Sequence, residues 1–102
     1  MPNPLLKGLR PIHPGEILRE DVLPAVGRPK TEIARLLGIS RQTLYDILNE
    51  KQPVTPHMAL RLAKMFGGTG ESWLAMQRNY DLKLAERDLL NKLDAIPRLE
   101  AA

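Results

Sequence analysis

The stretch from Thr31 to Asn49, TEIARLLGISRQTLYDILN, constrains this chain more than any other, because its apolar residues fall in two short helical stripes separated by one glycine. Ile33, Ala34 and Leu37 share a face of a first helix, and Leu44, Ile47 and Leu48 share a face of a second. Gly38 stands where the first helix must stop and turn, a position whose left-handed backbone is cheap only without a Cβ. Ile39 plugs the corner, and Ser40 is a good N-cap, its hydroxyl able to accept a bond from an otherwise unpaired amide. Ala34 is small enough to let the second helix cross closely over the first. The spacing predicts two helices crossing at a tight turn, the outline of a helix-turn-helix.

With that stripe turned inward, Arg41, Gln42, Thr43, Tyr45, Asp46 and Asn49 face outward as a hydrogen-bonding surface. The major groove of DNA admits an α-helix and shows a different donor and acceptor pattern for each base pair. Residues near the start of the second helix are the ones such a motif brings to base edges. Here they are Ser40, Arg41, Gln42 and Thr43, with Tyr45, Asp46 and Asn49 one and two turns further on. Gln42 can pair with adenine through both ends of its amide, and Arg41 can fork onto guanine or phosphate. Asp46 is repelled by phosphate, so it fits only if aimed at a base donor or tethered to a neighbouring arginine. Lys30, Thr31 and Lys51 suit backbone oxygens, which position a protein without reading sequence.

The charge distribution agrees. From Arg28 to Lys64 there are seven basic residues against three acidic, a net +4, while the remainder of the chain, with eight basic and nine acidic residues, is net −1. Positive charge therefore belongs to the motif and its neighbours, as a phosphate-facing surface requires.

At 102 residues the chain fits one domain, and 43% apolar residues is ordinary for a globular protein. Aromatics are scarce, so the core is expected to be aliphatic. The absence of cysteine excludes disulfides, thiolate metal sites and cysteine nucleophiles, and agrees with a reducing, cytoplasmic compartment. No apolar run resembles a signal peptide or a membrane span. A catalytic site would need a base, a metal cluster or a partnered nucleophile. The chain offers only His13 and His57, far apart and each beside a proline, so no enzyme, metal, cofactor or small-molecule substrate is expected.

Along the chain, residues 1–12 carry three prolines and are expected to form an extended arm whose Lys7 and Arg10 are available to DNA or a partner. A first helix begins near Pro14, with His13 capping or packing and Pro24 limiting its length; Ala25 to Pro29 reads as a linker. After the second motif helix, Pro53 breaks the chain, and Thr55-Pro56 starts a fourth helix with Ala59, Leu62, Ala63 and Phe66 inward and Gly67-Gly68 at its end. Thr69 caps a fifth helix, along which Trp73, Gln77, Tyr80 and Leu84 line one side and Leu74, Ala85, Leu89 and Leu93 extend the apolar surface. No proline or glycine interrupts residues 71 to 96. So long an apolar helical surface asks for a partner chain. The expectation is an all-α, five-helix protein: an arm over 1–12, a helix-turn-helix domain over 13–84, and a C-terminal helix extension and tail over 85–102.

Residues 31 to 51 resemble the lambda-repressor, or XRE, type of helix-turn-helix. More closely, His13-Pro-Gly-Glu16, Ser40-Arg-Gln-Thr-Leu44, Met58-Ala-Leu-Arg-Leu-Ala63, and Trp73-Leu-x-Met-Gln77 followed by Tyr80-Asp-Leu82 resemble the HigA, or VapI, family of antitoxins over roughly residues 10 to 84. The resemblance implies a bacterial type II antitoxin that dimerises, binds an operator upstream of its own operon and neutralises a HigB-type mRNA-cleaving toxin. It implies that Arg41, Gln42 and Thr43 face the operator, and that the fifth helix around Trp73 and Tyr80 contributes to the dimer. The chain departs from the family pattern twice. Glu50 stands where a glycine usually follows the recognition helix, so Asn49 or Glu50 must take a left-handed cap, and Gly67 to Gly70 lacks the usual serine-proline start before the tryptophan helix. The alternative reading is a free-standing repressor of phage or plasmid type without a toxin.

Overall fold

In the computed structural model, which describes residues 10–101, five helices follow one another with no strand among the described residues. Helix α1 has three stretches: an α-helical turn Pro14–Ile17, a π-helical stretch Leu18–Val22 and a closing α-helical turn Leu23–Val26. Then come α2 (Lys30–Leu37), α3 (Arg41–Leu48), α4 (Pro56–Phe66) and α5 (Gly70–Leu89), with a 3-10 turn at Leu93–Ala95. The expected arm falls largely outside the described residues, Lys7 included.

Three local expectations change. Pro24 does not end the first helix. A proline ring normally collides with the carbonyl four residues back, and the wider π-helical stretch just upstream makes room for it. The helix stops instead at Gly27, at φ 71°, so Ala25 and Val26 are helical and not linker. The fifth helix is shorter than an uninterrupted run to residue 96, ending at Leu89. Its start lacks serine-proline but has a reciprocal cap. The Ser72 N–H donates to the Thr69 hydroxyl at 3.0 Å, and the Thr69 N–H donates to the Ser72 hydroxyl at 3.0 Å.

The core forms where the motif stripe meets α1, α4 and the first half of α5. Leu18, Ile33, Ala34, Leu37, Leu44, Ile47, Leu48, Val54, Ala59, Leu62 and Trp73 are all buried there. Gly15 lets α1 touch α3 directly: a Cβ at this position would stand 1.8 Å from the Ile47 carbonyl oxygen. The second half of α5 leaves this core, and every residue from Asp81 to Leu90 is exposed. Its projection explains a radius of gyration of 17.0 Å and a long axis of 55 Å, against about 13 Å for a compact chain of this length.

Candidate nucleic-acid interface

Both motif helices are held at their ends. Ser40, extended at φ −72° and ψ 156°, caps α3 by accepting the Thr43 N–H at 3.0 Å, and its own hydroxyl donates to Thr43 Oγ1 at 2.8 Å. Gly38 takes the expected left-handed turn at φ 77°. At the far end of α3, Glu50 adopts φ 61°, the one non-glycine residue in the left-handed region among the described residues. The Glu50 N–H donates to the Ile47 carbonyl at 3.0 Å and the Lys51 N–H to the Asp46 carbonyl at 2.8 Å. That pair of bonds is the Schellman arrangement, with glutamate where glycine is usual.

Two arginines from outside the motif complete these caps, and neither was picked out from the sequence. Arg19 of α1 donates to the Leu48 carbonyl and lies 3.4 Å from the Glu50 carboxylate. Arg61 of α4 donates to the Leu37 carbonyl at 2.6 Å. Each places a cation at the negative end of a helix dipole, on a carbonyl that helix geometry leaves unpaired.

The predicted reading residues gather on one surface. Ser40, Arg41, Gln42, Tyr45 and Asn49 are exposed along α3 and Thr43 is half-buried, while Lys30 and Thr31 at the start of α2 and Lys51 after α3 are exposed beside them. The Lys30 ammonium stands 6.0 Å from the centre of the Tyr45 ring, bringing the start of α2 alongside the middle of α3. Asp46 is tethered to Gln42 and not to an arginine: Gln42 Nε2 donates to Asp46 Oδ1 at 2.7 Å. The i,i+4 spacing was the available signal.

The four residues assigned to a dimer face do not lie together on the surface. Trp73 and Gln77 are buried within this chain. Trp73 Nε1 donates to the Gly67 carbonyl at 3.0 Å, and the Gln77 amide bridges α5 to the loop before α4, accepting the Val54 N–H at 2.8 Å and donating to Asp81 at 2.9 Å. Their helical stripe runs from the core outward, with Tyr80 half-buried and Leu84 exposed.

His13 is a cap. Its buried ring accepts the Gly15 N–H through Nδ1 at 2.8 Å and meets Tyr80 edge to face, with ring centres 4.9 Å apart. Burial lowers its pKa below the ordinary histidine value, against the opposing pull of Glu50 and Asp81. Arg10 forms a two-pronged pair with Glu16, at 2.5 and 3.0 Å, which holds that carboxyl below its usual range. His57 is exposed in the first turn of α4. Among the described residues no cluster of three or more histidine or acidic side chains is arranged to hold a metal ion, and no helix is long and apolar enough to cross a membrane.

Comparison with known proteins gives this geometry a lineage. A helix-turn-helix family model matches residues 18–74. Virulence-associated protein I of Dichelobacter nodosus is 47% identical over 77 residues, covering 76% of this chain and 71% of that protein. The chain belongs to the HigA/VapI family of helix-turn-helix regulators. Solved relatives of the family share the whole fold. Antitoxin GraA superposes with a TM-score of 0.85 at 41% identity, covering 90% of this chain and 100% of its own, and its structure is also known in complex with its operator. Pseudomonas aeruginosa antitoxin HigA, solved with the higBA promoter, gives a TM-score of 0.83 at 34% identity, covering 89% of this chain and 100% of its own.

Proposed function

We propose that this chain is an operator-binding antitoxin that reads DNA through α3, acts as a dimer in the bacterial cytoplasm to repress its own operon, and neutralises a HigB-type toxin. One observation carries the reading. The exposed face of α3 presents Arg41, Gln42, Tyr45 and Asn49 together, flanked by Lys30 and Lys51, on the segment that holds the net positive charge. Such a surface supplies base-edge donors and acceptors in the centre and phosphate partners at the rim. The solved operator complex of GraA and promoter complex of HigA support the same use of the fold.

The dimer is supported by apolar surface on α5 that this chain leaves uncovered. Leu82, 56% exposed, lines a groove of about 610 Å³ together with Pro53, Val54, Leu74 and Ala85 among others, and Leu84, outside that groove, is 37% exposed. Apolar surface of this extent on one helix suits a second copy.

The test is a gel-shift titration on DNA from upstream of the chain's own gene, paired with capture of the neighbouring gene's product. Gln42→Ala should weaken binding to that DNA by roughly 1–3 kcal/mol and leave binding to scrambled DNA almost unchanged. Equal losses on both DNAs would refute base reading by Gln42. Failure to capture a growth-arresting neighbour would refute the toxin partnership and leave a free-standing repressor.

A further inference from the structure

We propose that Asp46 is a specificity-determining residue: by accepting the Gln42 amide N–H it fixes which way round that amide faces the DNA, and so selects adenine at the position Gln42 reads. The inference rests on α3 being the operator-reading helix.

A glutamine amide is nearly symmetric in shape but opposite in chemistry at its two ends, an oxygen that accepts and an NH₂ that donates. An unrestrained exposed glutamine can present either end to a base. Gln42 is restrained. Asp46 lies one turn on, on the same face, and side chains of a helix lean towards its N-terminus, so the carboxylate comes back over the amide. An ionised carboxylate only accepts, and the observed 2.7 Å contact is made by Nε2. Flipping the amide would set Oε1 against Asp46 Oδ1, two acceptors facing each other. The tether therefore leaves Oε1 and the second N–H of the amide side by side and pointing outward.

That outward pair is one acceptor and one donor. Adenine in the major groove offers the complement, N6 as donor and N7 as acceptor, whereas guanine offers two acceptors, O6 and N7, so that Oε1 would meet O6 unfavourably. The charge of Asp46 calls for such a role. It forms no ion pair within 4.0 Å among the described residues, and an uncompensated carboxylate on this face repels phosphate. Its benefit to binding must then be discrimination, not attraction.

The experiment measures affinity ratios, since removing a negative charge raises affinity for any DNA. On DNA from upstream of the gene, each A·T pair is changed in turn to G·C, and the position read by Gln42 is the one where Gln42→Ala abolishes discrimination. There the unaltered protein should favour adenine by roughly 5- to 150-fold, the worth of one bidentate pair. Asp46→Asn, close in shape but able to donate as well as accept, should cut that ratio to within about threefold, leaving ratios at other positions unchanged. Asp46→Glu, still acceptor-only, should retain most of it. As a measurement independent of variant folding, 7-deazaadenine at that position should weaken the unaltered protein's binding several-fold. An undiminished ratio in Asp46→Asn, alongside its loss in Gln42→Ala, overturns the role of Asp46 while the reading of α3 stands. Gln42→Ala without effect at any position, or no preference for the upstream DNA, overturns that reading and the inference with it.

Discussion

Glu50 offers a test in which one backbone angle decides the outcome. At φ 61° it ends α3 in a conformation that disfavours any residue with a Cβ, by about 1–2 kcal/mol. Its carboxylate faces Arg19 at 3.4 Å with both side chains partly exposed, a pair worth about 0.2–1 kcal/mol. Glu50→Gly and Glu50→Ala both lose that pair, so comparing the two variants isolates the backbone. Glycine relieves the left-handed strain but carries greater unfolded-state entropy, worth about 0.4–1 kcal/mol in the opposite direction. Glu50→Gly should therefore be the more stable of the two by about 1 kcal/mol, with Glu50→Ala below the unaltered protein by the lost pair. Urea unfolding at fixed protein concentration reads this directly. Trp73, the sole tryptophan, is buried in the core and serves as the fluorescent reporter. Equal urea slopes with a higher midpoint for glycine are the expected result. An alanine variant more stable than the glycine variant would refute the left-handed cap and the Schellman geometry built on it.

His13 accepts a bond only while neutral, and its native pKa lies below the value it has unfolded. On acidification the unfolded chain therefore takes up this proton first. The stability His13 contributes is complete above about pH 6.5 and declines as the pH falls towards the lowered native value. His13→Asn keeps a capping acceptor without titrating. The stability difference between the two proteins, followed by urea midpoints from about pH 8 to about pH 5, should move against histidine, and a constant difference would exclude it as the titrating cap. Gly15→Ala forces a Cβ to within 1.8 Å of the Ile47 carbonyl, a backbone atom that cannot step aside. The expected loss is about 3 kcal/mol, at the upper end of overpacking penalties; a loss under about 1 kcal/mol would mean that α1 and α3 do not meet there.

What was legible in the sequence was what depends on neighbours in the chain. The stripe Ile33, Ala34, Leu37, Leu44, Ile47 and Leu48 is buried as its spacing predicts, and the caps at Ser40, Thr55 and Thr69 each accept the amide three residues on. What was not legible depends on contacts across the fold. Nothing near Pro24 in sequence announces that a π-helical stretch will carry α1 past it. Arg19 and Arg61 look like ordinary solvated cations until the helices they cap are brought beside them, across 29 and 24 residues of chain. Trp73 and Gln77 share a helical stripe with Tyr80 and Leu84, and periodicity alone cannot say where along a stripe the core ends. That point is set by how far the other four helices reach.

Those long-range contacts also bear on how a dimer would place its reading helices. The C-terminus of α3 is bound to α1 through Arg19, and the α3 backbone is pressed against α1 at Gly15. The first turn of α1 is capped by His13, whose ring meets Tyr80 on α5. A continuous path of packed and hydrogen-bonded groups therefore runs from α3 through α1 to α5, with no flexible linker in it. If α5 pairs two copies, the separation of their α3 helices is a property of one rigid body and not of a hinge. Half-site spacing on DNA should then be strict, because a one-base-pair change rotates one half-site by about 34–36° against the other, and no element between α5 and α3 is free to follow. Gel shifts on DNA with one base pair inserted between half-sites should show the dimer's affinity fall to that for DNA carrying a single half-site. Retention of full dimer affinity on the expanded site would show that α3 and α5 move independently.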